Sequence, residues 1–176
     1  MEKIKWGIIG PGNIANNFAD GLKGSYSGQL VSIASKSEDR RKNFGDKYDI
    51  HPDFRFDSYE DIINSEHIDA IYVSTPHTLH AEWTIKAAGK GKHILCEKPG
   101  AINFNEGKKI IDAVREAGVF YMEGFMYRCH PQIPKLVDII KNKIIGDVIS
   151  VETSFGFDMG KTIPCLLYTS PSPRDV

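Results

Sequence analysis

A glycine-rich segment near the N-terminus constrains the fold of this chain more than any other feature. The segment Gly10-Pro11-Gly12-Asn13-Ile14-Ala15 directly follows a β-type run, Ile4–Ile9, and opens a helical pattern that continues to Lys23. It matches Gly-x-Gly-x-x-Ala, in which the first glycine permits a tight turn and the second lets the backbone approach a pyrophosphate. The small third residue allows helix and strand to pack closely. The segment predicts a dinucleotide-binding turn, with these cofactor-binding residues: Gly10, Gly12, Asn13 and Ile14.

The residues that follow alternate β-rich runs with helical stretches, which indicates βαβ units and a parallel sheet. After the first strand, further strands are expected at residues 30–35, 54–56, 69–74, 92–96 and 119–123. Helices are expected between them, from the N-cap Ser37 to about residue 47, from Ser58, and over residues 79–88 and 103–117. The predicted fold class is therefore α/β, with a doubly wound, Rossmann-type parallel sheet.

The chain divides into three parts by sequence pattern. Residues 1–124 hold the predicted dinucleotide-binding domain. Residues 125–164 add a helix, 132–142, and a strand, 147–155, which we interpret as the start of a second, incomplete α/β domain. Residues 165–176 shift abruptly to a turn-rich composition and resemble the translation of a sequencing adapter, so they are excluded from the fold prediction. On that interpretation the natural chain continues beyond Pro164; the alternative is a natural disordered tail.

Composition excludes several classes of function. The 22 basic and 23 acidic side chains give a formal net charge of −1, which disfavours a nucleic-acid partner because such binding needs a basic face. No apolar run approaches the ~18–20 residues of a membrane helix, so no membrane association is expected. The three cysteines, Cys96, Cys129 and Cys165, form no disulfide framework. A reducing, cytoplasmic location is the expectation.

The end of the second strand is where a Rossmann fold distinguishes NAD from NADP. An acidic residue there accepts hydrogen bonds from the ribose of NAD, whereas a cation favours the 2′-phosphate of NADP. Ser35, Lys36 and Arg40 are therefore predicted as cofactor-binding residues, and NADP is favoured over NAD. Two alternatives remain: the cations are ordinary surface charges, or Glu38 or Asp39 reaches the ribose.

Two further segments leave strands at the carboxyl edge of the predicted sheet, where ligands bind in open α/β folds. The first is Ser74-Thr75-Pro76-His77-Thr78-Leu79-His80, and the second is Cys96-Glu97-Lys98-Pro99-Gly100. The pair His77 and His80 lacks a third ligand nearby, so no metal site is expected.

Lys98 has a clear chemical use at this edge. Oxidation of an alcohol by hydride transfer requires removal of the hydroxyl proton. A lysine that is partly desolvated beside a cationic ring can orient the hydroxyl or share in the proton transfer. Glu97 would then hold the cofactor or pair with Lys98. The alternative is a surface turn ended by Pro99.

Together these motifs, in this order and spacing, resemble the glucose–fructose oxidoreductase / inositol dehydrogenase family (Gfo/Idh/MocA) over residues 1 to about 164. The segment Met122-Glu-Gly-Phe-Met-Tyr-Arg-Cys-His-Pro131 resembles its trans-dihydrodiol dehydrogenase-like branch. The resemblance implies a two-domain NAD(P)-dependent dehydrogenase that acts on the CH–OH group of a sugar, polyol or dihydrodiol, and that forms a homodimer when full length.

The resemblance also implies roles for individual residues. Lys98 is the expected catalytic residue and a substrate contact, with Tyr127 as a second substrate contact. It further implies these cofactor contacts: Ser74, Thr75, Pro76, His77, His80, Glu97, Lys98 and Arg128. The other catalytic residue of the family, a histidine or tyrosine, comes from the second domain and is absent before Pro164. A non-catalytic dinucleotide-binding module or redox sensor is therefore the competing hypothesis.

Overall fold

Six parallel strands form one twisted sheet in this chain. The computed structural model describes residues 2–154 and residue 156. The strands are β1 Ile4–Ile9, β2 Gly28–Ala34, β3 Arg55–Phe56, β4 Ala70–Val73, β5 His93–Cys96 and β6 Tyr121–Glu123. Their order in the sheet is β3-β2-β1-β4-β5-β6, with every neighbouring pair parallel. This is the doubly wound, Rossmann-type arrangement, and the predicted fold class is confirmed.

Helices connect the strands and begin at sequence signals that the chain supplies. The α-helices are α1 Asn13–Lys23, α2 Glu38–Lys47, α3 Tyr59–Asn64, α4 His80–Gly89, α5 Phe104–Ala117 and α6 Gln132–Lys141. Short 3-10 turns occupy Pro52–Phe54, His77–Leu79 and Met126–Cys129. The side chains of Ser37, Ser58 and Asn103 cap α2, α3 and α5 by accepting a hydrogen bond from a backbone N–H of the first turn.

Side chains that alternate along each strand build one apolar core on each face of the sheet. On β1, Ile8 packs in the core formed with α1 and α2, whereas Ile9 packs in the core formed with α3, α4 and α5. On β4, Tyr72 and Val73 divide in the same way. Successive strand residues point to opposite faces, so a strand covered by helices on both faces is apolar throughout.

The strand order places a switch point beside β1. The chain passes from β1 to β2 on one side, and β4 lies on the other side. The register pairs Ile9 with Ala34 of β2 and with Val73 of β4, and Val73 in turn with Cys96 of β5. The four loops that leave these strands therefore start at the same level of the sheet edge, where α/β proteins bind their ligands.

The chain separates into two compact units, of which the first ends at His130 and the second begins at Pro131. In the second unit α6 matches the predicted helix, but the strand predicted at 147–155 is not formed over residues 147–154. A strand requires a neighbour to satisfy its backbone N–H and C=O groups, and the described residues of this unit contain no second strand. Residue 155 and the tail at 165–176 lie outside the described residues.

Among the described residues, no helix has the length and apolar character needed to cross a membrane.

Candidate cofactor-binding site

The turn between β1 and α1 has the backbone geometry of a phosphate cradle. Gly10 adopts φ +88°, and a Cβ at this position would lie 3.0 Å from the carbonyl oxygen of Ser74. Its N–H donates to the carbonyl of Ala34 on β2 over 3.1 Å. A side chain at Gly12 would meet nothing within 4 Å, so this position opens outwards. The first glycine is required by the turn and the second leaves room for a ligand.

The N-terminus of α1 is left free to bind an anion. Unlike α2, α3 and α5, this helix has no side-chain cap, and its first turn carries no acidic residue. Unpaired N–H groups and the positive end of the helix dipole therefore face the space beside Gly12. The arrangement fits the pyrophosphate of a dinucleotide, and Asn13 and Ile14 occupy the first turn as predicted.

The loop after β4 packs directly on this turn. The hydroxyl of Ser74 lies 3.1 Å from the carbonyl oxygen of Ile9 and 2.8 Å from that of Gly10, so its one proton can be donated to either oxygen. Thr75 is buried, yet its Oγ1 has no hydrogen-bond partner in the described structure. We call the segment of residues 10–15 the phosphate turn. A polar ligand bound beside this turn would supply a hydrogen-bond partner for the buried Thr75 hydroxyl. Pro76 and His77 follow and are exposed.

The end of β2 presents two cations and no carboxylate on the strand itself. Ser35 is buried, its hydroxyl accepts from the N–H of Ser37 over 3.2 Å, and its carbonyl accepts from Arg41 over 2.7 Å. Lys36 is exposed, with its Nζ 5.8 Å from the centre of the Tyr59 ring, and Arg40 is exposed in the first turn of α2. Arg41, which the sequence pattern did not single out, holds this loop through its bond to the Ser35 carbonyl.

The acidic alternatives at this end lie in the first turn of α2. Glu38 and Asp39 are both exposed there, where carboxylates stabilise a helix N-terminus. The predicted NADP contacts and their acidic competitors are thus brought to the same end of the strand.

Three side chains hold the loop that carries Lys98. The hydroxyl of Tyr72 donates to the Glu97 carboxylate over 2.6 Å, and Glu123 accepts from the N–H of Gly100 over 2.7 Å. The Nδ1 of His80 lies 2.7 Å from the carbonyl oxygen of Pro99. Tyr72 and Glu123 were not predicted as site residues. The sequence does contain a signal for both residues. Tyr72 is a phenol in an otherwise apolar strand and Glu123 is a carboxylate at the end of β6, and a buried polar group needs a polar partner.

Lys98 itself is exposed, and its Nζ makes no hydrogen bond to a described residue. The sequence predicted that Lys98 is partly shielded from water, and the described residues do not shield it. Burial lowers the pKa of His77, and its neighbours His80 and Lys98 lower it further. Burial and the hydrogen bond to Glu97 raise the pKa of Tyr72 well above the usual range, so its hydroxyl remains a donor.

His80 lies at the start of α4, and its predicted cofactor contact stays a prediction. It is fully buried, and its Nε2 lies 2.8 Å from the carbonyl oxygen of Thr75 while its Nδ1 is committed to Pro99. Both ring nitrogens therefore lie at backbone carbonyl oxygens within the protein. No group of His, Cys, Asp and Glu side chains that could hold a metal is found among the described residues.

A cavity of about 330 Å³ lies between the start of α1 and the Lys98 loop. Ile14 and Glu97 both line it, with Phe18, Tyr72 and Met126 among the other lining residues. The predicted cofactor contacts on the two loops thus border one space. Tyr127 and Arg128 lie in the exposed 3-10 turn that ends the first unit, and their predicted contacts stay predictions.

Known oxidoreductases share the sequence pattern of this site. The Gfo/Idh/MocA model, described as an oxidoreductase family with an NAD-binding Rossmann fold, matches residues 4–125. Among curated relatives, a trans-1,2-dihydrobenzene-1,2-diol dehydrogenase of Xenopus tropicalis is 34% identical over 159 residues, which cover 89% of this chain and 48% of the relative. A D-xylose 1-dehydrogenase (NADP(+)) of Haloferax volcanii is 33% identical, with 88% and 46% covered.

Solved structures agree with the sheet topology. A 3-ketoreductase from Actinomadura kijaniata (KijD10), in complex with TDP-benzene and NADP, superposes with a TM-score of 0.73 at 33% identity. The match covers 82% of this chain and 45% of that one. The chain therefore spans about half the length of the proteins it resembles.

Proposed function

Because this chain belongs to the Gfo/Idh/MocA oxidoreductase family through its NAD-binding Rossmann fold, we propose that it is the cofactor-binding part of an NADP-dependent dehydrogenase. The reaction is hydride transfer between the nicotinamide and the CH–OH group of a sugar, polyol or dihydrodiol. In the proposed protein the described residues bind the cofactor and present Lys98, and a further domain completes the substrate site.

The observation that carries this proposal is the position of Lys98 relative to the phosphate turn. Lys98 and Gly10 each lie just beyond the end of their own strand, β5 and β1, and the single strand β4 separates these two in the sheet. A dinucleotide whose pyrophosphate lies on α1 extends along this edge, past the loop after β4, towards the Lys98 loop. The lysine is exposed and positioned by a loop with three anchors.

The chain's residues supply binding and proton handling. When bound, the nicotinamide accepts or returns the hydride. The Lys98 amino group bonds the substrate oxygen, which fixes the carbon that bears it: in the oxidative direction the neutral amine accepts the hydroxyl proton, and in the reductive direction the ammonium returns a proton to the carbonyl oxygen. The cavity that Ile14 and Glu97 line offers an apolar wall and a carboxylate to the ring end of the cofactor.

NADP is the proposed cofactor because of the charges at the end of β2. Lys36 and Arg40 are exposed at this end and form no ion pair with a described residue, whereas an NAD-specific site places a carboxylate on the strand end. Two relatives are named or solved with NADP: the Haloferax volcanii dehydrogenase and the Actinomadura kijaniata ketoreductase.

The rest of the proposed protein follows from the family. We infer that the natural chain continues beyond Pro164 into an α/β domain that contributes the second catalytic residue and forms a homodimer. The proposed substrate class rests on relatives whose names include a dihydrodiol dehydrogenase and a xylose dehydrogenase. A cytoplasmic location is also part of the proposal.

The test is turnover by the full-length protein. NADP reduction is followed by absorbance with a panel of sugars, polyols and dihydrodiols, and at least one member is expected to be oxidised. Lys98→Ala should lower kcat by ~100-fold or more, as loss of a proton-transfer group does, and leave NADPH affinity within a few-fold. Lys109→Ala, an exposed lysine of α5, is the matched control and should leave kcat unchanged.

Two outcomes would overturn this function. Unchanged kcat in Lys98→Ala removes Lys98 from the mechanism. Tight NADPH binding with no turnover across the panel supports the competing hypothesis, a dinucleotide-binding module without catalysis.

A further inference from the structure

The buried imidazole of His80 faces a carbonyl oxygen at each of its two ring nitrogens. Nδ1 lies 2.7 Å from the oxygen of Pro99, and Nε2 lies 2.8 Å from the oxygen of Thr75. The residue is 0% exposed, so no bulk water replaces either contact. Carbonyl oxygens only accept hydrogen bonds, so each nitrogen must donate.

A neutral imidazole cannot satisfy this arrangement. It carries one N–H, and its other nitrogen has a lone pair that would face a carbonyl oxygen at hydrogen-bond distance. Only the imidazolium donates from both nitrogens, and both distances fall in the ~2.7–2.9 Å range of charge-assisted N–H···O bonds. The pair of carbonyl contacts is therefore the geometric basis for a protonated ring.

We propose that His80 is a positioning residue whose imidazolium joins the loop after β4 to the Lys98 loop. One bond holds the carbonyl of Thr75, next to the serine that contacts the phosphate turn. The other holds the carbonyl of Pro99, directly after Lys98. The kinetic part of this proposal rests on the function proposed above, because it concerns how Lys98 is placed.

Charged groups of both signs lie on the segments that pack near the ring. His77, on the preceding 3-10 turn, has its ring 5.6 Å from that of His80 between centroids, and the pKa of His77 is lowered partly by His80. Lys98 is a second positive group that acts on His77, and Glu97 is the negative one. Glu123 of β6 binds the N–H of Gly100 on the same loop. The loop after β5 thus carries the Glu97 carboxylate and binds the Glu123 carboxylate. Both lie on or against the segment whose Pro99 carbonyl His80 contacts.

His80 begins α4, so its position is set by the helix start rather than by the loops it joins. Its neighbours Ala81 and Trp83 are buried in the same helix. A rigid helix start that bonds two loops fixes their separation, and a shift of about 1 Å in a catalytic group can lower a rate by ~100-fold.

The protonation state is tested in the wild-type protein by nitrogen NMR. The protein is labelled with ¹⁵N-histidine, and the six histidines are assigned by single substitution. We expect His80 to show two slowly exchanging ring N–H protons at neutral pH, the signature of a hydrogen-bonded imidazolium. A single protonated ring nitrogen would overturn the proposal. This measurement needs neither turnover nor a variant that folds.

The positioning role is tested with His80→Gln, which has donors at only one end of its amide and cannot bond both carbonyls. We expect kcat to fall by at least ~10-fold with the NADPH Kd within threefold of wild type, and the amides of Glu97 and Gly100 to exchange faster with solvent. His67→Gln, the same change at an exposed histidine, is the control and should alter none of these.

Other outcomes would refute it. Unchanged kcat and amide exchange in His80→Gln mean that the ring does not position the loop. A parallel loss of kcat, NADPH affinity and melting temperature means that His80 supports the fold in general. If the wild-type protein oxidises no substrate of the panel, the proposed function fails, while ring protonation and amide exchange still decide the role of His80.

Discussion

Two glycines of the phosphate turn should respond differently to the same substitution. Gly12 has φ −97°, an ordinary value, and a Cβ there meets no atom within 4 Å. Alanine is a poorer N-cap than glycine but restricts the unfolded chain, and these effects, each about 0.5–1 kcal/mol, oppose one another. We expect Gly12→Ala to change the free energy of unfolding by less than about 1 kcal/mol.

The added methyl group in Gly12→Ala nevertheless enters the space in which a pyrophosphate would approach α1. Displacing the phosphate by that width weakens or removes a charge-assisted bond from a backbone N–H, which contributes about 1.5–3 kcal/mol. The expected loss of NADPH affinity is therefore ~10–100-fold.

Gly10→Ala should lose stability as well as binding. Gly10 has φ +88°, and a Cβ would lie 3.0 Å from the Ser74 carbonyl oxygen and 3.2 Å from the Thr75 nitrogen, both backbone atoms. A side chain in this conformation costs about 1–3 kcal/mol, and the close backbone contacts add to it. We expect the free energy of unfolding to fall by at least about 1–3 kcal/mol.

The assay measures urea unfolding and NADPH fluorescence titration on the same preparations. Gly21→Ala, on the exposed side of α1 with nothing within 4 Å of its Cβ, is the control; it should preserve binding and leave stability equal or higher. NADPH binding by Gly12→Ala equal to wild type would show that the phosphate does not lie on this turn. The chain would then have the Rossmann-type fold without binding the cofactor at this turn.

Two further predictions concern charge and burial. Lys36→Glu should weaken NADP binding by ~10-fold or more and bring the NAD and NADP affinities together, since a phosphate contact is lost and a ribose acceptor is gained. Lys42→Glu, at an exposed position in the helix that follows Lys36, is the control, and parallel titrations with NAD and NADP decide between the outcomes. Burial raises the pKa of the Cys96 thiol to about 12, so at pH 8 iodoacetamide should modify exposed Cys129 and spare Cys96 until denaturant is added. Equal labelling of the two peptides in mass spectrometry would contradict the buried position.

Local sequence signals were enough to predict most of the fold. The Ser37, Ser58 and Asn103 caps mark helix starts that the structure reproduces, because a cap acts within its own turn. The strand predicted at 147–155 was wrong over 147–154 because strand formation depends on a partner, which no local pattern guarantees.

The site was predictable where one segment builds it and not where distant segments meet. The phosphate turn lies within residues 10–15, so its motif is visible in the sequence. The anchors of the Lys98 loop join residues far apart: Tyr72 and Glu97 are separated by 25 positions, and Gly100 and Glu123 by 23. Such pairs follow from the strand order, which the sequence only implies. The same reason hid the buried position of His80.

The side chains that hold the Lys98 loop indicate which part of the proposed protein supplies each part of the reaction. Tyr72, His80 and Glu123 belong to β4, α4 and β6, all within the first unit. The loop is therefore fixed by the cofactor-binding fold itself and requires nothing from later residues to acquire its geometry. Burial of Lys98, in contrast, is not supplied by these residues. Residues 1–130 should therefore suffice for cofactor affinity. The partial desolvation of Lys98 that favours proton transfer requires the cofactor, the substrate and the proposed second domain.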